Sequence, residues 1–332
     1  MVKHKPFLKY FHASPFSVDK KIKIVLAELY NSVLLFFGSR EAARITARSE
    51  NFADDEKTLE ELQRELERYV GLKVVKQKVS DLIAFHTVQK LREKENLKNA
   101  KSTLHMAFIG NPGTGKTSVA RIIGRMYKKI GLLSKGHFIE VSRTDLIAGY
   151  QGQTALKVKK IIEKAKGGVL FIDEAYSITE NSNSDSYGRE CLTELTKALE
   201  DYREDLVVIV AGYKEPMEQF FESNPGLKSR FNTFIYFEDY NADELTVILE
   251  RMCNDSDYKL SEELKEKVKT FFAAQIQNKT EDFSNGRFAR NIYDDLIMSH
   301  AKRVVKEKNF TYETLSTLES CDFNTAENKF SQ

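Results

Sequence analysis

The sequence predicts an α/β domain with a five-stranded parallel sheet, followed by a smaller domain made only of helices. Between residues 103 and 239, short apolar runs alternate with segments of helical periodicity, and beyond Asn241 the strand-like runs stop. Near-continuous apolar runs are typical of strands buried on both faces of a parallel sheet. The five predicted strands are Leu104–Ile109, His137–Val141, Val169–Ile172, Leu206–Ala211 and Thr233–Phe237.

The length of 332 residues fits two or three domains. We expect a helical N-terminal extension over 1–55, an α/β nucleotide-binding domain over 56–240, a helical lid domain over 241–310 and a polar tail over 311–332. The extension carries an apolar pattern at helical spacing, which could recruit a partner or pack against its own chain: Ile22, Leu26, Leu29, Val33 and Phe36.

Helices are predicted on both sides of the strand-containing region. Thr58 and Glu61 form a capping box at the start of an amphipathic helix, and Gly71 separates that helix from a second one over 74–95. The helical domain contains three amphipathic patterns, over 243–253, 262–277 and 287–307. The last twenty or so residues have few apolar anchors, which predicts a weakly ordered tail.

Composition excludes several classes of protein. Lys plus Arg number 51 and Asp plus Glu 49, a net charge of +2, which argues against a dedicated nucleic-acid binder. The longest apolar candidate, Val33–Phe37, is too short to span a bilayer, so we expect no membrane association. Three cysteines without a CxxC pair, six histidines without zinc-ligand spacing and no signal-peptide pattern predict a cytoplasmic protein.

The strongest motif is GNPGTGKT at 110–117, which follows the first predicted strand and opens a helix over 118–128. Its glycines allow backbone N–H groups to surround phosphate oxygens, and the helix N-terminus adds its dipole. We expect Lys116 to reach the β- and γ-phosphates of ATP and the Thr117 hydroxyl to bind Mg²⁺. The predicted nucleotide contacts are Asn111, Pro112, Gly113, Thr114, Gly115, Lys116, Thr117 and Ser118.

A second motif, VLFIDE at 169–174, is a strand that ends in two adjacent carboxylates. The first, Asp173, suits Mg²⁺ coordination, and the second, Glu174, suits orientation and polarisation of an attacking water. Together with the P-loop at 110–117, this pair predicts an NTP hydrolase. A P-loop kinase for small molecules would not usually need the second acid.

Further motifs carry a family resemblance: DLIAGYQGQTA at 145–155, GGVLFIDEAY at 167–176, LVVIVAGY at 206–213, SNPGLKSRF at 223–231 and NGRFARN at 285–291. With GNPGTGKT, they resemble the AAA+ ATPases, in the branch that contains the red-type Rubisco activase CbbX and stage V sporulation protein K (SpoVK). The resemblance covers about residues 57 to 305, and it implies ATP and Mg²⁺ as ligands.

The resemblance also implies roles for residues outside the P-loop. Arg230 matches the arginine finger that reaches the γ-phosphate of the neighbouring subunit. Arg287 matches sensor 2, with Arg290 one helical turn away as an open alternative. Val70-Gly71 matches the turn that packs on adenine. Tyr213 aligns near sensor 1, where many members carry Asn or Thr, so its hydrogen-bonding role stays open.

Tyr150, between Gly149 and Gly152, matches the aromatic pore loop of the family, and an aromatic residue there grips peptide through apolar contact. The polar segment 180–188 is either a second pore loop or an ordinary surface loop. The resemblance implies a homo-oligomeric ring, most often a hexamer, that remodels a client protein.

Four functional interpretations remain open from the sequence. We favour a SpoVK-like remodeller, or one with an unknown client, because the N-terminal extension lies outside the resemblance to the activase. The second is a red-type Rubisco activase. The third is an ATP-switched scaffold with little turnover, against which Asp173, Glu174 and Arg230 argue. The fourth, a DNA-remodelling ATPase, is disfavoured by the charge balance.

Overall fold

A computed structural model describes residues 49–50, 56–99, 103–149, 152–179, 186–278, 283–307 and 310–324. The chain divides into two units, Met1–Ser49 and Glu50–Gln332, and the second unit contains the α/β domain and the lid. The apolar pattern predicted within 1–55, Tyr150 and most of the polar segment 180–188 lie outside the described residues.

The central sheet contains the five predicted parallel strands. They are β2 (Met106–Gly110), β3 (Phe138–Val141), β4 (Val169–Ile172), β5 (Val207–Gly212) and β6 (Thr233–Phe237), in the spatial order β3-β4-β5-β2-β6. A two-residue strand, β1 (Ser49–Glu50), takes the edge position beside β3. The predictions of a five-stranded parallel sheet and of a helical lid are therefore confirmed.

Alternate residues of these strands enter two apolar cores, one on each face of the sheet. Phe108 and Phe171 belong to the first core, whereas Ile109 and Leu170 belong to the second, and all four are at most 5% exposed. Because both faces are buried, the strands read as apolar runs without alternation. Helices Leu59–Glu67, Lys73–Lys94 and Lys116–Lys129 contribute to the first core, and Gln153–Ala165, Ser186–Asp201 and Lys214–Glu222 to the second.

Short helical segments connect the larger elements: Arg143–Leu146, the 3₁₀ turn Ala175–Ile178 and Pro225–Lys228. The predicted capping box is present, since the Thr58 N–H donates to Glu61 Oε2 at 2.7 Å and the Glu61 N–H donates to Thr58 Oγ1 at 3.2 Å. None of the described helices combines the length and the apolarity that a bilayer crossing requires.

The lid follows β6 and consists of helices Ala242–Asn254, Glu262–Gln277 and Gly286–Glu307. The first two begin at side-chain caps, where Asn241 Oδ1 accepts from the Glu244 N–H at 2.9 Å and Ser261 Oγ accepts from the Leu264 N–H at 3.2 Å. Apolar residues of all three helices belong to the first core, which therefore continues from the sheet into the lid.

Residues 311–324 are part of this lid, so the prediction of a polar tail from 311 is wrong over that range. Helix Tyr312–Ser316 leads into β8 (Thr317–Leu318), which pairs in parallel with β7 (Lys259–Leu260), so the lid is mainly helical and not made only of helices as predicted. A 3₁₀ turn, Ser320–Phe323, buries Phe323 completely. The prediction failed because two well-placed residues, Leu318 and Phe323, anchor a segment whose average composition is polar.

An ion pair fastens the same segment to the last lid helix. The guanidinium of Arg303 donates to both carboxylate oxygens of Asp322, at 2.9 and 3.0 Å, and Asp322 is only 2% exposed. Two parallel charge-assisted hydrogen bonds of this kind fix the geometry as well as the distance. Residues 311–324 are therefore a packed part of the lid and not a free tail.

A histidine is buried where the sheet meets helix Ser186–Asp201. His105 is fully buried, its Nδ1 accepts from the Val208 N–H at 3.2 Å, and its Nε2 lies 2.9 Å from the Leu199 carbonyl oxygen. These partners require a neutral ring that carries its proton on Nε2. Burial lowers the pKa of His105 to about 4.

This histidine is expected to make the fold acid-sensitive. Below pH about 6.5, the usual pKa of histidine, the unfolded chain binds a proton at His105 that the folded chain does not bind. The free energy of unfolding therefore falls by about 2 kcal/mol by about pH 5. His105→Gln can make both hydrogen bonds without titrating. Urea unfolding at neutral pH and at pH near 5 should therefore show a larger loss for the wild type than for His105→Gln, and equal losses would contradict the assignment.

Candidate nucleotide-binding site

Three adjacent strands bring the predicted site residues to the carboxyl-terminal side of the sheet. The P-loop follows β2, Asp173 follows β4 and Tyr213 follows β5, and β5 lies between the other two. Ile172 pairs with Val210 and Ile109 pairs with Gly212, so the three strands end within about three residues of one another. In open parallel sheets, ligands bind at this side. A cavity of about 750 Å³ opens there, between the sheet and the lid.

The P-loop contributes backbone and the start of a helix to this cavity. Gly115 has φ +97° and immediately precedes helix Lys116–Lys129. A glycine accepts this left-handed conformation, which a residue with a Cβ adopts at a cost. Pro112, Gly113, Gly115, Lys116, Thr117 and Ser118 all line the cavity, as their sequence motif predicts.

The Lys116 ammonium is held by two backbone carbonyls of the same loop. Its Nζ donates to Gly110 O at 2.8 Å and to Asn111 O at 2.7 Å. Burial lowers its pKa to about 8, against the opposing attraction of Asp173. The cation is thus desolvated, and its partners are neutral groups that phosphate oxygens could replace.

Asp173 and Glu174 reach the cavity from the end of β4. The Asp173 N–H donates to Val141 O at 3.0 Å, which extends the pairing of β3 and β4 by one residue. Glu174 has φ +48° and starts the 3₁₀ turn Ala175–Ile178, so the chain bends sharply between the two carboxylates. Both line the cavity, and Glu174 is exposed.

Tyr213 lines the cavity from the end of β5, where it precedes helix Lys214–Glu222. Its ring centroid lies 5.8 Å from that of Tyr176, with the planes inclined at 52°. Tyr213 therefore lies beside the carboxylate turn.

The lid contributes Arg287 and Arg290 from the first two turns of helix Gly286–Glu307, and both line the cavity. The Gly286 N–H donates to Gly113 O at 3.1 Å, so the lid helix begins directly against the P-loop. An ideal Cβ at Gly113, which has φ +72°, would lie 2.2 Å from Ser284 O. Gly113 is therefore required by the lid as well as by the loop conformation.

The cavity is also lined by residues that the motifs did not reveal. Ile248 and Met252, on one face of the first lid helix, line it together with Tyr69, which adjoins the predicted Val70. The Lys76 Nζ fixes this turn by donating to Tyr69 O at 2.7 Å and to Glu67 O at 2.9 Å. The spacing of four between two apolar residues was the available signal, but it resembles any buried helix face.

Some predicted residues lie elsewhere. The Asn111 side chain turns away and donates to both Asp239 oxygens, at 3.0 and 3.1 Å, and Thr114 is buried, its Oγ1 donating to Asn111 O at 2.8 Å. Gly71, with φ +60°, lies against Glu244 rather than in the cavity lining.

Arg230 is also outside the described lining of this cavity. It precedes β6, and the first residue of β6, Thr233, pairs with Met106 at the start of β2. Arg230 therefore lies at the amino-terminal edge of the sheet, opposite the P-loop. Its Nε is 3.6 Å from Glu200 Oε2, and its carbonyl oxygen accepts from Thr103 Oγ1 at 2.8 Å.

Comparison with known proteins identifies the family. The model of the ATPase family associated with various cellular activities (AAA) matches residues 106–239, and that of the AAA lid domain matches 241–332. Stage V sporulation protein K of Bacillus subtilis (strain 168) is 40% identical over 271 residues, which are 81% of this chain and 84% of that protein. The chain belongs to the AAA ATPase family.

Two further relatives of this AAA ATPase have the same level of similarity. Protein CbbX of Cereibacter sphaeroides is 41% identical over 74% of this chain and 78% of its own length. The chloroplastic ribulose bisphosphate carboxylase/oxygenase activase of Cyanidioschyzon merolae (strain NIES-3377 / 10D) is 40% identical over 80% of this chain and 90% of its own. The family and these relatives imply that the chain binds and hydrolyses ATP.

Solved structures agree on the fold. The FIGL-1 AAA domain superposes with a TM-score of 0.58 at 16% identity, covering 96% of this chain and 92% of that one. The same domain in complex with ADP gives 0.57 at 17% identity, covering 79% and 82%.

Substituting Gly113 should uncouple the P-loop of this AAA ATPase from its lid. In Gly113→Ala, the Cβ meets Ser284 O and forces the P-loop and the lid apart. We expect ATP affinity to fall at least about tenfold, because a loss of about 1.4 kcal/mol in binding free energy raises the dissociation constant by a factor of ten. Titration with a fluorescent ATP analogue measures the change.

The matched control is Gly131→Ala. Gly131 also has a positive φ, +77°, but its Cβ would meet nothing within 4 Å. It should therefore lose stability through backbone strain and keep its affinity for ATP. Equal affinities in the two variants would show that the contact with Ser284 is unimportant.

Proposed function

We propose that this AAA ATPase hydrolyses ATP with Mg²⁺ in a homo-oligomeric ring, most simply a hexamer, and uses the energy to remodel a client protein. One observation carries the hydrolytic part: Lys116, Thr117, Asp173, Glu174 and Arg287 come from three separate segments and line one cavity. In a P-loop hydrolase, these are the groups that bind phosphates, hold the metal, orient water and read the nucleotide state.

Each group has a role that suits its surroundings. Lys116 exchanges its carbonyl partners for β- and γ-phosphate oxygens, which stabilise its charge better than neutral carbonyls do. Glu174, exposed to the cavity, orients the attacking water and accepts its proton. Arg287 is the sensor 2 residue, with Arg290, whose guanidinium lies 5.7 Å from the centroid of the Tyr293 ring, as the alternative. Tyr213 occupies the sensor 1 position.

The metal site consists of the Thr117 hydroxyl and the Asp173 carboxylate. Both line the cavity, and oxygen ligands of this kind, completed by waters and phosphate, are those that Mg²⁺ prefers. Bound Mg²⁺ would supply charge neutralisation at the phosphates. The residues present therefore fit the ion that the family implies.

The ring is supported by the location of Arg230. An arginine at the edge of the sheet opposite its own P-loop cannot act there, but it can enter the cavity of a neighbouring subunit. In other NTPases such a finger accelerates hydrolysis by about 10³–10⁵. In the isolated chain, Arg230 is held by Glu200 and by Gly226 O, to which its Nη1 donates at 2.7 Å.

Client engagement is assigned to Tyr150, on the evidence of the sequence DLIAGYQGQTA. We favour a SpoVK-like remodeller or one with an unknown client, and Rubisco activation is the second candidate. Relatives carrying both names match at the same identity, so similarity alone does not separate the two. An ATP-switched scaffold is the third candidate.

A substrate trap tests hydrolysis and client together. Glu174→Gln should retain ATP affinity while turnover falls at least about a hundredfold, because the water loses its general base. Lys116→Ala should lose ATP affinity itself. Phosphate release and nucleotide titration measure these two effects, and unchanged turnover in Glu174→Gln would remove Glu174 from its role.

The same variants then identify the client by pull-down from the native cell. A protein enriched by Glu174→Gln, but neither by Lys116→Ala nor by Glu174→Gln/Tyr150→Ala, is a client that the pore residue grips. The large subunit of Rubisco would decide for an activase. Identical partners in all three samples would favour the scaffold.

Mixed rings test the arginine finger. Arg230→Ala and Lys116→Ala subunits should each be inactive alone, since each lacks one half of every active site. Mixtures should recover activity at interfaces that pair an intact Lys116 with an intact Arg230, giving a maximum near equal proportions. If mixed rings form and no ratio restores phosphate release, Arg230 does not act in trans.

A further inference from the structure

Three polar side chains join the P-loop, the end of the sheet and the lid behind the nucleotide cavity. Asp239 follows β6, and its carboxylate accepts from Asn111 Nδ2 at 3.0 and 3.1 Å and from Asn285 Nδ2 at 2.8 Å. Asn285 immediately precedes helix Gly286–Glu307. We call Asn111, Asp239 and Asn285 the polar junction.

Asn285 is the best-connected member of the polar junction. It is fully buried, and its Oδ1 accepts from the Tyr240 N–H at 2.9 Å. Its Nδ2 also lies 3.3 Å from Pro112 O and 3.0 Å from Phe283 O. A flipped amide would point its oxygen at these acceptors, so the chemistry of the neighbours determines the orientation.

The backbone of Asn285 is as constrained as its side chain. It has φ +47°, a left-handed conformation that Asn adopts more readily than most residues. This conformation directs the next N–H, that of Gly286, to Gly113 O at 3.1 Å. The start of the helix that carries Arg287 is thus fixed to the P-loop by side chain and backbone together.

The other end of the polar junction reaches the phosphate-binding lysine. The Asn111 carbonyl oxygen accepts from Lys116 Nζ at 2.7 Å, while the Asn111 side chain donates to Asp239. When a phosphate oxygen accepts from the Lys116 ammonium, the Asn111 carbonyl oxygen loses its hydrogen bond to Lys116. Any adjustment of Asn111 then acts on Asp239 and, through it, on Asn285.

We propose that Asn285 is a positioning residue for ATP hydrolysis, which sets Arg287 against the nucleotide according to the occupancy of the P-loop. Asn285 is not among the residues that line the cavity, and it acts through the helix whose first turn contains Arg287. This inference rests on the proposed function, because it requires Arg287 to act on ATP.

The test is a double-mutant cycle on the full chain, with Mg-ATP turnover as the readout. Asn285→Gly removes the amide and keeps the left-handed backbone, which glycine adopts freely. We expect kcat to fall about tenfold, within the range typical of coupling between sites, and ATP affinity to change by less than about threefold. Asn96→Gly is the matched control, since Asn96 also has a positive φ, +57°, and is exposed.

The cycle adds Arg287→Ala, alone and with Asn285→Gly. If Asn285 acts through Arg287, the double variant should be no slower than Arg287→Ala. Multiplying losses would overturn the proposal, because a general structural defect would add to the loss of Arg287. A kcat for Asn285→Gly equal to that of Asn96→Gly would also overturn it.

One further result separates this proposal from the proposed function, and a second variant guards against a failure to fold. An unimpaired Arg287→Ala would refute the role of Arg287 itself, whatever Asn285 does. If Asn285→Gly does not fold, Asp239→Asn takes its place, because it keeps the size of the side chain and removes the carboxylate that both amides share. Asp239→Asn should show the same non-additivity with Arg287→Ala. If the reductions in kcat of the two single variants multiply in the double variant, the proposal is overturned.

Discussion

The close contact between the P-loop and the lid is the constraint on which the rest of the site depends. Gly113 has no room for a Cβ because Ser284 O and the Gly286 N–H lie against it. The sheet fixes the P-loop from one side, and the lid helix fixes it from the other. Phosphate binding and lid position are therefore properties of one packed unit, and neither domain forms the cavity alone.

The lining of the cavity combines charged groups with apolar surface. The carboxyl ends of β2, β4 and β5 supply charge: an ammonium and two carboxylates around the start of a helix. Tyr69, Ile248 and Met252 also line the cavity and add apolar surface beside charged residues such as Arg251. The sheet and the lid therefore contribute different groups to one lining, and a ligand that contacts both would hold the lid to the sheet.

Most of the fold could be predicted from the sequence because its signals are local. All five strands lie within two residues of their predicted bounds, and the P-loop, Asp173 and Glu174 lie where their motifs indicate. A sequence motif, however, reflects the backbone conformation that the loop requires and does not predict where each side chain points. Asn111 belongs to the phosphate motif, yet its amide donates to Asp239 at the end of the sheet. Thr114 is buried, and its hydroxyl donates to the Asn111 carbonyl oxygen of the same loop.

The remaining differences come from tertiary contacts that local patterns cannot reveal. Ile248 and Met252 line the cavity, although their spacing on the lid helix is typical of an ordinary core face. Residues 311–324 are polar on average and pack nonetheless, because Phe323 contacts Phe271 and Asp322 pairs with Arg303, both on earlier lid helices. Average composition therefore underestimates order wherever a few anchors are placed well.

The parallel pairing of β7 with β8 has a consequence for synthesis of the protein on the ribosome. Lys259–Leu260 cannot pair until Thr317–Leu318 has been synthesised. The lid therefore lacks β8 and the Asp322 carboxylate until translation has passed residue 323. Domains of larger proteins fold as units while the chain emerges, and the α/β domain is complete in sequence much earlier. The whole α/β domain is therefore synthesised before the segment that completes the lid.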